Sequence, residues 1–117
     1  MDTPKRPVNA HKDYHAHVYF DQKTLSFATD LSQQVEERFQ LKVGRVHQKP
    51  VGPHTRWSFQ ILFDHHAFDA LIPWLDQQRN GLSVLVHAQT GNSYEDHTTH
   101  AYWLGDPVDL KLKAFSD

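Results

Sequence analysis

Along this chain the spacing of apolar residues changes from every second position to every third or fourth and back again, twice over. In residues 14–20, YHAHVYF, strand alternation puts Ala16, Val18 and Phe20 on one side and His15, His17 and Tyr19 on the other. From Leu25 the apolar positions are Leu25, Ala28, Leu31, Val35 and Phe39, one stripe of an amphipathic helix with Thr24 as its expected cap. Residues 41–48, LKVGRVHQ, read as a second strand closed by the turn-forming KPVGPH. In TRWSFQILF, Trp57, Phe59, Ile61 and Phe63 alternate with Arg56, Ser58 and Gln60, which predicts a third strand. A second helical stripe, Phe68, Leu71, Trp74 and Leu75, follows the cap candidate Asp64, and Pro73 inside it predicts a kink or a late start. RNG stops that helix with Gly81 in the left-handed conformation, and LSVLVH supplies a fourth strand.

Strand, helix, strand, strand, helix, strand with right-handed crossovers predicts an α+β, ferredoxin-like βαββαβ sandwich. The expected sheet is four-stranded and antiparallel, with the first and third strands central, the fourth beside the first, and both helices on one face. The helix-facing set is then Ala16, Val18, Phe20, Trp57, Phe59, Ile61, Leu82, Val84 and Val86. The opposite, open face holds His15, His17, Tyr19, Ser58, Gln60 and His87. Beyond the fourth strand, Val108, Leu110 and Leu112 alternate with Asp109, Lys111 and Lys113, the pattern of an edge strand used within the chain or against a second copy. The expected organisation is a mobile lead-in over 1–12 and one domain over 13–117.

The 117 residues suit one core rather than two. No cysteine is present, which excludes disulfides, thiolate metal sites and a cysteine nucleophile. No apolar run reaches membrane-spanning length, and MDTPKRPVNAHKD lacks the apolar centre of a signal peptide, so a cytoplasmic location is expected. A net charge of −2 with scattered Lys and Arg argues against nucleic-acid partners.

Histidine is the unusual residue, with ten in the chain. His15 and His17 lie about 6–7 Å apart along one strand face, at about 3.3 Å of rise per residue, and His87 ends the neighbouring strand on that face. Imidazoles reaching one ion from two strands suit a transition metal. His54, in the turn VGPH, and His97, in EDH, are further candidates, with Asp13, Glu95 and Asp96 as carboxylates in reach by sequence. His65, His66 and His11 read as cap, surface or solvated residues, and the face of His47 depends on register. Tyr19, Trp57 and Trp103 read as packing residues.

Together HAHVYF, KPVGPH and LSVLVH-QTG----DH--HAYWLG resemble the DOPA 4,5-dioxygenase family over about Tyr14–Gly105. The resemblance implies a ferredoxin-like fold and an extradiol-type dioxygenase, in which a metal, Fe(II) or alternatively Zn(II), holds a catechol that O2 opens beside its hydroxyls. The family's motif histidines fall on His15, His17, His54, His87 and His97. On that resemblance His17, His87 and His97 are the expected ligands, His15 the next, and His54 a general base or acid. Arg56 and Tyr19 are the expected substrate contacts. Thr55 and Ala88 stand where the family often has proline, a departure expected to loosen both loops and to remove no ligand. The competing expectation is a non-catalytic, metal- or ligand-binding module that forms a homodimer through its open face.

Overall fold

The computed structural model describes residues 5–115. Five strands, β1 (Asp13–Phe20), β2 (Lys42–Val43), β3 (Trp57–Asp64), β4 (Val84–Ala88) and β5 (Ala101–Leu104), form one antiparallel sheet in the order β2-β3-β1-β4-β5. Helices α1 (Leu25–Phe39) and α2 (His65–Gln78) sit in the two predicted crossovers, and a short α3 (Ser93–Asp96) precedes β5. As expected, β1 and β3 are central and β4 lies beside β1.

The pairing sets the faces. Ala16 lies opposite Ile61 and Val86, and Val18 opposite Phe59 and Val84, so these residues share the helix side. There they are buried with Ala28, Leu31 and Val35 of α1 and Leu71 and Leu75 of α2. Burying each large aliphatic side chain contributes roughly 1.5–3 kcal/mol. Trp57 and Leu82, expected in this set, are only partly buried at its margin.

Several expectations are corrected. Thr24 does not cap α1 with its side chain; its hydroxyl joins a capping box with Asp21 around a 3-10 turn at Gln22–Thr24. Helix α2 starts directly after Asp64, whose carboxylate accepts from the His66 and Ala67 amides, so no late start occurs. Pro73 lies inside that helix at an exposed position. Gly81 does take a positive φ, 85°, after Asn80 at 52°. The second strand shrinks to two residues plus an isolated bridge between His47 and Ser58.

The fifth strand, AYWL, has no apolar-polar contrast because all four residues are buried, and so it left no period-2 signal. Its Trp103 amide donates to the Lys5 carbonyl, which puts the lead-in on the edge that the tail was expected to take. The lead-in itself is held over residues 5–12. Arg6 pairs with Asp76, Lys5 Nζ donates to the Thr99 carbonyl, and the Tyr14 hydroxyl accepts from the Ala10 and His11 amides. His11, expected to be solvated, is half-buried against His100 and Tyr102. Residues 1–4, also in the expected lead-in, lie outside the described residues.

The tail is not an edge strand. It crosses the sheet face opposite the helices, makes one bridge between His54 and Leu110, and ends in a 3-10 turn at Leu112–Phe115. Val108 is buried there with Tyr19, Leu85, Ala101 and Trp103, and Leu110 packs on this second small core. The face expected to be open for a partner is therefore covered by the chain's own segments.

Candidate metal centre

Under that cover the sheet gathers imidazoles. His15 and His87 are directly opposite each other across the β1–β4 ladder, and His17 lies one step along the same face of β1. Ligand atoms of His15, His17 and His87 all lie within 4.8 Å of one another. His17 is 5% and His87 1% exposed, whereas His15 is half-buried, so one side of the trio faces outward. The loops bring two more rings. His54 lies against His17 with ring centres 4.1 Å apart, and His97 lies against His87 at 4.1 Å.

Hydrogen bonds assign the protons. His87 Nδ1 is 2.8 Å from the Ala88 carbonyl, which only accepts, so Nδ1 carries the proton and Nε2 keeps a lone pair. His97 is set in the same way, Nδ1–H donating to the Ser93 carbonyl at 2.8 Å. His17 Nε2 is 3.0 Å from His87 Nε2 and, without an ion, is the donor of that pair. Two neighbouring ligand positions of an octahedron at metal–nitrogen bonds of about 2.1 Å are also about 3.0 Å apart, against about 3.4 Å in a tetrahedron. The donor set and its spacing therefore fit a divalent transition metal held by His15, His17 and His87.

His54 is arranged differently. Its Nδ1 lies 2.7 Å from Tyr19 Oη. Tyr19 is 1% exposed, and burial raises its pKa, so the phenol keeps its proton. Among the described residues that hydroxyl has no other hydrogen-bond partner, so it donates to Nδ1 and leaves the His54 proton on Nε2.

Burial also keeps the group neutral. It lowers His54 to about 4 and His87 to about 3, helped in both by the neighbouring His97, and holds His17 well below the ordinary histidine value with His54 and His87 adding to the effect. His15 and His97 are lowered as well, chiefly by burial. Neutral imidazoles are the form that binds metal.

The expected site residues are thus largely brought together: His15, His17, His54, His87 and His97 form one cluster. The compact trio contains His15, with His97 beside it. The carboxylates stay out of it. Asp96 is buried and accepts from the amide and hydroxyl of Thr90, which shapes the loop that carries His97. Tyr19 and exposed Arg56 line a cleft of about 750 Å³ with Trp57, Ser83 and Asp106, and none of the five clustered histidines is on its wall. A second cleft, of about 640 Å³, does have His97 on its wall, with Trp103, Val108 and Leu112.

Thr55 and Ala88 do not loosen their loops. The Thr55 hydroxyl donates to the Asp109 carbonyl at 2.7 Å, and the Ala88 amide, which a proline would lack, donates to the His100 carbonyl. Phe115, whose ring centre is 4.5 Å from that of His97, was missed because the tail's alternation pointed to a strand. The Tyr19–His54 bond joins residues 35 positions apart and has no local signal.

The profile of the Dopa 4,5-dioxygenase family matches residues 14–114. A DOPA 4,5-dioxygenase from Amanita muscaria is 30% identical over 110 residues, covering 86% of this chain and 48% of that protein. An uncharacterized 21.2 kDa protein from Botryotinia fuckeliana is 35% identical over 113 residues, 85% of this chain and 62% of the relative. The chain thus spans between about half and three fifths of these curated relatives. The crystal structure of a "putative dioxygenase" from Nostoc punctiforme PCC 73102 is similar with a TM-score of 0.86 and 35% identity, covering 94% of this chain and 96% of that one. With 101 consecutive positions matched by the profile and the fold shared with a relative of that identity, this chain belongs to the Dopa 4,5-dioxygenase family.

Proposed function

We propose that the chain is a metal-dependent, extradiol-type dioxygenase that opens a catechol ring with O2. The observation that carries the reading is the trio His15, His17 and His87, whose ligand atoms lie within 4.8 Å and in which the bond from His87 Nδ1–H to the Ala88 carbonyl keeps the lone pair on His87 Nε2. These three residues would hold the ion, Fe(II) in preference to Zn(II). The bound ion would supply orientation and Lewis acidity, holding catechol oxygens and O2 on one centre. Held by three protein ligands, an ion of octahedral preference would keep positions for substrate.

The remaining histidines divide the proton work by tautomer. His97 keeps a lone pair on Nε2 and is half-exposed on the wall of the cleft of about 640 Å³, which suits it to take a proton from a catechol hydroxyl. His54 is held neutral and presents Nε2–H, so in place of its expected acid-or-base role its geometry favours a hydrogen-bond donor to negative charge that develops on the substrate oxygens. The cleft beside His97 is the proposed entrance for the ring, with Trp103, Val108 and Leu112 as apolar walls. Tyr19 acts through His54 on this reading. Arg56 would meet the substrate only if the substrate reached the larger cleft.

The test is anaerobic loading with Fe(II) or Zn(II), then a catechol panel that includes L-DOPA with oxygen uptake recorded. Uptake by the iron form with a coloured ring-opened product, abolished in His17→Ala and His87→Ala, is expected. A tightly held zinc without uptake on any catechol would replace this reading with a non-catalytic metal-binding module.

A further inference from the structure

His54 sits near the tip of the turn at residues 50–55, yet its Nδ1 is held 2.7 Å from Tyr19 Oη. Surface turns wander by more than such a bond tolerates. The turn is closed on itself by the His54 amide, which donates to the Val51 carbonyl at 3.0 Å, and two further bonds, one on each side of His54, tie it to the rest of the chain. The Pro53 carbonyl accepts from the Lys111 amide at 2.7 Å, and the Thr55 hydroxyl donates to the Asp109 carbonyl at 2.7 Å. Both lead to the same covering segment, and His54 itself bridges to Leu110 between them. That segment is located in turn by Val108, buried in the cluster that contains Tyr19 and Trp103. The two partners of the Tyr19–His54 bond are therefore referenced to one small core.

We propose that Thr55 is a positioning residue for His54, acting with residues 108–111 to keep the imidazole on the Tyr19 hydroxyl and its proton on Nε2. The catalytic consequence rests on the reading of His54 as a hydrogen-bond donor through Nε2–H. Of the two fasteners, the Lys111 amide is backbone that almost any residue would supply, whereas the Thr55 hydroxyl depends on the side chain. Thr55 is half-buried, so its removal releases the turn without opening a core. Valine keeps its shape and loses the donor; serine keeps the donor and loses only a methyl group.

The experiment compares the full chain with Thr55→Val, Thr55→Ser and Val108→Ala at neutral pH. It records the two ring-nitrogen shifts of His54 by NMR in the metal-free protein and catechol turnover in the iron-loaded one. Expected are one fixed tautomer in the parent and in Thr55→Ser, and averaged ring-nitrogen shifts in Thr55→Val and Val108→Ala. Turnover of Thr55→Val should fall about tenfold in kcat with KM nearly unchanged, because a donor is misplaced while substrate binding is not. A single fixed tautomer in Thr55→Val overturns the proposal, as does averaging in Thr55→Ser to the same extent as in Thr55→Val. If the parent turns over no catechol, the proposed reaction fails, but the ring-nitrogen spectra still decide the positioning.

Discussion

Which nitrogen carries a proton decides what each histidine here is able to do. His87 spends its Nδ1–H on the Ala88 carbonyl and keeps a lone pair on Nε2 toward His17, so replacing the ring removes a candidate ligand atom. His17→Ala and His87→Ala are each expected to lose stoichiometric Zn(II) binding in calorimetric titration while keeping the far-ultraviolet circular dichroism of the parent. That His15, His17 and His87 share one face was legible in the sequence, because two imidazoles at i and i+2 lie on one strand face and a third ends the adjacent strand, although the family resemblance put His97 ahead of His15 as a ligand. The proton assignments were not legible, because they depend on which carbonyl or hydroxyl the loops bring to the second nitrogen. Gly105 shows the same limit. It has φ of 79°, and a Cβ there would lie 2.5 Å from Arg79 Nη1 and 3.4 Å from the Leu82 carbonyl oxygen. Gly105→Ala is expected to cost about 1–3 kcal/mol in urea unfolding, from the left-handed backbone and the displaced guanidinium.

Elements were legible where one face is buried and the other wet. Helices α1 and α2 and strands β1 and β3 announce themselves by period, and the observed pairing of Val18 with Phe59 and Val84 is the one that this period demands. Strand β5 is buried on both faces and so carries no period, and the tail carries a period without being a strand, since its apolar residues pack on a face instead of an edge. At this scale, Leu71→Ala, which empties a fully buried position of α2, should destabilise the fold by about 2–5 kcal/mol. Asp96→Ala should cost about 1.5–3 kcal/mol by freeing the Thr90 amide and hydroxyl from a buried carboxylate. The loop carrying His97 should then gain mobility, seen as faster amide exchange across 90–97 with β1 unchanged.

For the whole molecule the buried imidazoles set the response to acid. His17, His54 and His87 have folded values below the ordinary histidine value of 6.5, so the unfolded chain binds more protons below that pH. Their contribution is therefore intact above about pH 6.5 and is lost as the pH falls from there toward about 4 for His54 and about 3 for His87. Each group that is charged unfolded and neutral folded adds about 1.4 kcal/mol per pH unit to the slope. Urea midpoints measured between pH 7 and pH 4.5 should fall steeply in the metal-free parent and less steeply in His54→Gln. A flat profile would contradict the burial of these rings.

Strand β1 carries both the floor of the core and the floor of the candidate metal centre, whereas the turn at 50–55, the loop of His97 and the covering segment come later in the chain. During synthesis at about 5–20 residues per second, His15 and His17 leave the ribosome long before the residues that cover them exist. Until then the imidazoles are open to any divalent ion in the surroundings. An ion held by His15, His17 and His87 would therefore be enclosed only once residues 108–115 have folded across the sheet.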